Sequence, residues 1–129
     1  MRFGGVTLMV SDVAATASFY ANAFGLSQVF ADPDGTFVVL GSGVAEEQPA
    51  SALTIEHWRK IENYARPTSP GGFRVLLEHE DVDAVYDSAL AAGATDALPP
   101  TIRPWGQKVA AVRDPNGVIV EIGEPIAYR

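Results

Sequence analysis

One carboxylate stands inside an otherwise apolar strand pattern. Glu121 interrupts Val118-Ile119-Val120-Glu121-Ile122, directly after Asp114-Pro115-Asn116-Gly117. A charge in a buried strand is costly unless it is paired, bound to a ligand or facing a wet cavity. Glu121 is therefore the first candidate for ion pairing, metal ligation or proton transfer. Glu56 could serve with it as an acid–base pair, although the spacing does not favour this over solvated charge. Aromatic residues carry the second signal. Phe37 falls on a central strand, Trp105 follows Pro104, and Trp58 and Tyr64 sit in or beside an irregular stretch. Small-molecule clefts are mostly apolar with a few placed polar groups, and Phe37, Trp58, Trp105 and Glu121 suit one. The alternative for these rings is packing in the core. No Gly-rich phosphate loop follows a strand, and neither His57 nor His79 lies near a nucleophile motif.

The elements that must position these residues follow from turn and cap chemistry. Asp114-Pro115-Asn116-Gly117 and Asp32-Pro33-Asp34-Gly35 are turn sequences, with glycine supplying positive φ. Val6–Val10 reads as a strand, followed by a helix over Val13–Phe24, capped by Ser11 or Asp12 and ended by Gly25. Phe19, Tyr20, Ala23 and Phe24 form the apolar side of that helix. Leu26–Ala31, Thr36–Leu40 and Ala52–Glu56 read as strands. The irregular stretch Arg59–Gly72 reads as a linker. Phe73–Leu77 is then a strand, Val82–Ala92 a helix capped by Asp81 and ended by Gly93. Strands near Ala97–Arg103, Gln107–Val112 and Val118–Gly123 complete the chain.

Composition narrows the partners. A chain of 129 residues predicts a single domain, here 1–129, with a sizeable core. A net charge of -7 argues against nucleic acid and anionic membrane as partners. There is no cysteine, so neither disulfides nor thiolate chemistry are available. No apolar run approaches a membrane span and the start lacks a signal-type apolar region, so a soluble cytoplasmic protein is expected.

The order βαβββ occurs twice, over about 1–58 and 72–129. Asp12-Val13 matches Asp81-Val82 at an offset of about 69 residues. The two Asp-Pro turns fall at a different offset, so they are expected to join different strand pairs.

Three groups of residues resemble one known family. They are Val10-Ser11-Asp12-Val13 with Ser18-Phe19-Tyr20 and Phe24-Gly25-Leu26; Asp81-Val82-Asp83-Ala84 with Ala91-Ala92-Gly93-Ala94; and Trp105-Gly106-Gln107 with Arg113-Asp114-Pro115-Asn116-Gly117 and Glu121. In this order they resemble the vicinal oxygen chelate superfamily of glyoxalases, bleomycin-resistance proteins and extradiol dioxygenases. The resemblance implies an α+β fold in which two βαβββ modules form curled mixed sheets around a cleft. It also implies a homodimer. In metal-dependent members, ligands come from the first and fourth strands of the modules. Glu121 matches the final carboxylate ligand, and Ala52 lies one repeat offset before it. The first ligand, usually His, falls on Gly5, and its counterpart in the second module is Arg74.

Only one of those four positions, Glu121, can bind a divalent metal. A metal acting as Lewis acid needs several protein donors. Strand alternation puts Thr54 and Glu56 on the side of Ala52, with His57 on the other side, and Leu76 and Glu78 on the side of Arg74, with His79 on the other. Arg74, a permanent cation suited to a carboxylate, is expected to pair with Glu121 in place of a metal. The pattern is nearest to the metal-free bleomycin-resistance-like members. The expected function is metal-independent binding of a small molecule, with no cofactor, through Phe37, Trp58, Arg74, Trp105 and Glu121; no catalytic residue is assigned. The alternatives are a metal-dependent lyase, isomerase or dioxygenase with a displaced site, and a metal-free enzyme using Glu121 as base.

Overall fold

The computed structural model describes residues 1, 3–42, 52–60 and 70–126. Tyr64 and most of the expected linker lie outside the described residues. The chain divides into two compact units, Met1–Pro67 and Thr68–Arg129. The first contains β1 (Gly5–Val10), α1 (Val13–Phe24), β2 (Ser27–Ala31), β3 (Phe37–Gly41) and β4 (Ala52–His57), followed by a 3-10 turn at Trp58–Lys60. The second contains β5 (Val75–Glu78), α2 (Val82–Ala91), β6 (Thr95–Ile102), β7 (Lys108–Arg113) and β8 (Ile119–Gly123). Their sheets run β1-β4-β3-β2 and β5-β8-β7-β6. In each, the first and last strands pair in parallel and the other neighbours are antiparallel. Two βαβββ modules of an α+β fold are thus present, as the sequence implied.

Local chemistry explains the element boundaries. Asp12 caps α1 by accepting from the Ala15 N–H at 2.9 Å, and Asp81 caps α2 by accepting from Ala84 at 3.1 Å. Gly25, at φ 69°, ends α1 in the left-handed conformation. The two Asp-Pro turns use one device. The Asp32 Oδ1 accepts from the Thr36 and Phe37 N–H groups, and the Asp114 Oδ1 from those of Asn116 and Val118. They join β2 to β3 and β7 to β8, different pairs in the repeat. Phe73 and Arg74 lie just ahead of β5 rather than inside it, so the strand begins two residues later than expected from Phe73.

Each helix covers one face of its own sheet. In the first unit Leu8, Val10, Val38, Leu40, Leu53 and Ile55 are buried at alternate strand positions, with Phe19, Tyr20 and Ala23 of α1 buried as well. Phe24 is half-buried and contacts the rings of Phe19 and Tyr20. In the second unit Ala110, Val112, Val120 and Ile122 alternate in the same way, and Val82 and Ala89 of α2 are buried. Burying one such aliphatic side chain stabilises by about 1.5–3 kcal/mol. The opposite faces have no helix of their own unit over them. They carry Phe37, Val39, Thr54 and Glu56 in the first unit and Leu76, Ala111, Ile119 and Glu121 in the second.

The register corrects the repeat. Thr7 pairs with Thr54, whereas Leu76, 69 residues after Thr7, pairs with Glu121, which is 67 residues after Thr54. Glu121 therefore corresponds to Thr54, not to Ala52. The helix starts fixed one offset, but the last strand is set by the length of the connection before it. The correction of two residues keeps both positions on one face, because side chains alternate with period two.

Candidate functional site

β8 supplies Glu121, and the residue just before β5 supplies Arg74. These strands are neighbours, so the two side chains meet on the face away from α2. The Arg74 Nε lies 3.1 Å from the Glu121 Oε2, with side-chain exposures of 64% and 21% respectively. The expected ion pair is present. The carboxylate is sheltered while the guanidinium reaches outward, so solvent screens the pair from its outer side. Beside it, Gly72, Phe73, Arg74 and Ile119 line an open hollow of about 470 Å³. Phe73, the residue before Arg74, lines the hollow together with it.

The positions that a family metal would use do not offer a donor set. Gly5 has no donor side chain, Thr54, the register counterpart of Glu121, offers only a neutral hydroxyl, and Arg74 is a cation already engaged with the one carboxylate. Gly5 is also sterically closed. It pairs with Ala52 at φ 130°, and a Cβ there would lie 2.1 Å from the Ala52 carbonyl oxygen. No rotamer of a histidine could begin from that position without moving the β1–β4 ladder. Among the described residues no group of three or more His, Asp and Glu could hold a metal ion.

The histidines are occupied locally. The Nδ1 of His79 accepts from the Asp81 N–H at 2.9 Å, and His79 is exposed beside the start of α2. The Nδ1 of His57 accepts from the Arg59 N–H, and its ring stacks on Trp58 at 5.6 Å. His57 is half-buried rather than a plain surface residue, because Trp58 shelters it. Each Nδ1 is an acceptor, so a neutral ring carries its proton on Nε2.

The remaining aromatic candidates separate. Trp58 is half-buried in the first unit, where its indole N–H donates to the Ser11 Oγ at 3.3 Å. Phe37 faces away from α1, level with Glu56 across the β3–β4 ladder. Phe30 contacts Phe37 edge-on at 6.1 Å and was not singled out from sequence. Its signal was obscured by the register shift between Gln28 and Phe30. Trp105 sits at the tip of the β6–β7 hairpin, 62% exposed. Its indole N–H donates to the Gln107 Oε1 at 2.9 Å, and the Arg103 guanidinium lies 5.3 Å from its ring centre. Both partners belong to its own hairpin. Among the described residues no helix is long and apolar enough to cross a membrane.

Comparison with known proteins agrees with this fold. The family model described as Glyoxalase/Bleomycin resistance protein/Dioxygenase superfamily matches residues 2–122. An uncharacterised protein of Mycobacterium bovis is 30% identical over 134 residues, covering 92% of this chain and 80% of its own length. A glyoxalase-related enzyme from Fulvimarina pelagi has a similar structure, with a TM-score of 0.80 and 23% identity, covering 98% of this chain and 93% of its own. A member of the same superfamily from Sphaerobacter thermophilus aligns with a TM-score of 0.76 and 28% identity, over 97% of this chain and 98% of its own.

Proposed function

This chain belongs to the Glyoxalase/Bleomycin resistance protein/Dioxygenase superfamily, and within it we propose a metal-independent small-molecule-binding protein, of the sequestering kind found among bleomycin-resistance members. The observation that carries the reading is the 3.1 Å contact between Arg74 and Glu121. The carboxylate that matches a metal ligand has its charge answered from within the protein. The closed backbone at Gly5 supports the same reading, since it rules out a side-chain ligand at that position.

Ligand contacts are proposed on each unit by itself. Phe37 and Trp58 serve in the first; Arg74, Glu121 and Trp105 serve in the second. The half-exposed apolar residues Phe30, Phe73 and Leu76 enlarge the surfaces on which an apolar ligand body could rest. No cofactor is required for binding of this kind. We propose a cytoplasmic homodimer, with neither nucleic acid nor membrane as partner. Light scattering at micromolar concentration should return twice the chain mass, and a monomer mass would overturn the assembly.

Two measurements test the function. Purified protein should contain no stoichiometric divalent metal, and a chelator should leave its melting temperature unchanged. A small-molecule screen should find compounds that raise that temperature, since a ligand at a hundred times its Kd stabilises by about 2.7 kcal/mol. One divalent ion per chain, whose removal lowers the melting temperature, would overturn the reading and favour a metal-dependent enzyme.

A further inference from the structure

The sheet faces with no helix of their own unit carry Glu56 in the first unit and Glu78 and Glu121 in the second; Glu78 is exposed to solvent, and of the two half-buried carboxylates only one is answered. Glu121 has Arg74. Glu56 is half-buried on β4 and makes no hydrogen bond or ion pair among the described residues. Its neighbours in register are Phe37 on β3 and Met9 on β1. Phe30 extends this surface by its edge contact with Phe37. By register, the second unit has Gly123 where the first has Glu56, and Val109 where it has Phe37. The cross-strand pairing of Glu56 with Phe37 therefore has no register counterpart in the second unit.

A half-buried carboxylate with a phenylalanine and a methionine as cross-strand neighbours keeps only part of its hydration, which favours a counter-charge. The chemistry of the neighbours selects which cation. A divalent ion needs several oxygen ligands, and one carboxylate flanked by Phe and Met does not supply them. A small hydrated monovalent ion would gain little from either neighbour. An organic ammonium satisfies both requirements. Its charge meets Glu56, while its carbon-bound substituents lie against the aromatic rings, whose faces attract cations. The net charge of -7 adds a favourable long-range field for such a ligand.

We propose that the Phe30–Phe37–Glu56 face of the first unit binds the organic ammonium group of a small-molecule ligand. The proposal rests on the small-molecule-binding reading and adds the ligand's charge class and its anchor. Glu56 is the charge contact and Phe37 the ring contact.

Benzyltrimethylammonium is the probe, with benzyl alcohol and phenylacetate as neutral and anionic controls. Binding is followed by backbone amide shifts of the full chain. The expected result is saturable shifts at Met9, Phe37 and Glu56 with the ammonium, weakening as salt is raised. The controls should cause at most small shifts there. Glu56→Gln should weaken binding about tenfold, and Phe37→Leu severalfold. Glu56→Gln should also fold with an unchanged or higher melting temperature, because it removes an unanswered charge. Equal binding of benzyl alcohol, shifts confined to the second unit, or a Glu56→Gln affinity within about twofold of the parent would each overturn the proposal. If neutral or anionic compounds stabilise the protein while the ammonium probe does not bind, this inference falls and the small-molecule-binding reading stands. If no compound binds, both fall.

Discussion

Gly5 approaches Ala52 so closely that an added Cβ would sit 2.1 Å from the Ala52 carbonyl oxygen and 2.9 Å from its amide nitrogen. Real Cβ atoms do not tolerate either distance, and both atoms belong to the backbone of the paired strand. The β1–β4 ladder is drawn together at the position that the family resemblance assigns to the first metal ligand. Absence of a ligand there is consequently a property of the backbone as well as of the side chain.

Replacing Gly5 with Ala should destabilise the protein markedly. The positive φ alone costs about 1–3 kcal/mol for a residue with a side chain, and the steric conflict adds to it. Chemical denaturation would measure the loss. Gly5→His should lower stability at least as much without creating a zinc site. An unchanged midpoint for Gly5→Ala, or tight zinc binding by Gly5→His, would contradict the geometry.

The Arg74–Glu121 pair should be worth modest energy. Arg74 is 64% exposed, so the coupling in a double-mutant cycle with Arg74→Met and Glu121→Gln should be about 0.5–1 kcal/mol. It should shrink in high salt. A coupling of about 3–5 kcal/mol, the scale for breaking a fully buried pair, would place the guanidinium in a drier setting than observed.

Asp114 should matter more to folding than its place in a turn suggests. It is 5% exposed and its Oδ1 accepts from two backbone N–H groups. Asp114→Ala would leave both donors without that acceptor, at a cost of about 2–4 kcal/mol. Asp114→Asn keeps an acceptor oxygen and should recover part of this. Equal melting temperatures for Asp114→Ala and the parent would show that the β7–β8 turn does not depend on this carboxylate.

Alkaline pH should loosen α2 first. Tyr86 of α2 donates to Asp96 of β6 at 2.8 Å, and Lys108 of β7 meets Asp83 of α2 at 2.6 Å. The hydrogen bond to Asp96 raises the Tyr86 phenol above its ordinary value, and that to Asp83 raises the Lys108 ammonium. Both folded values lie above the unfolded ones. The stabilisation is therefore complete below the unfolded values and is lost as pH rises through the folded ones. Amide exchange in α2 should accelerate above about pH 10 ahead of exchange in α1. Tyr86→Phe with Lys108→Met should remove that difference.

What was legible in the sequence was governed by local rules. Asp12, Asp81 and Gly25 declare their helix ends because a cap needs only its own turn. Arg74 and Glu121 could be placed on one face because strand alternation survives an error of two residues. Register did not yield, since the repeat offset of the helix starts does not govern strands separated by connections of different length. The direction of Trp105 was equally hidden. Its indole is held by Gln107, two residues on, and nothing in the spacing announces that hydrogen bond. Phe30 was lost to the irregularity after Gln28.

The slip between the two repeats has a bearing on how this scaffold tolerates changes in loop length. Two residues make one full pleat, so inserting or deleting them in pairs before β8 would return Glu121 to the side of Arg74. A single-residue change carried into β8 would invert the strand. Glu121 would then be driven beneath α2, and Val120 and Ile122 would be turned outward. Indels here should obey a parity rule, with even steps accepted and odd steps surviving only where a bulge absorbs the extra residue.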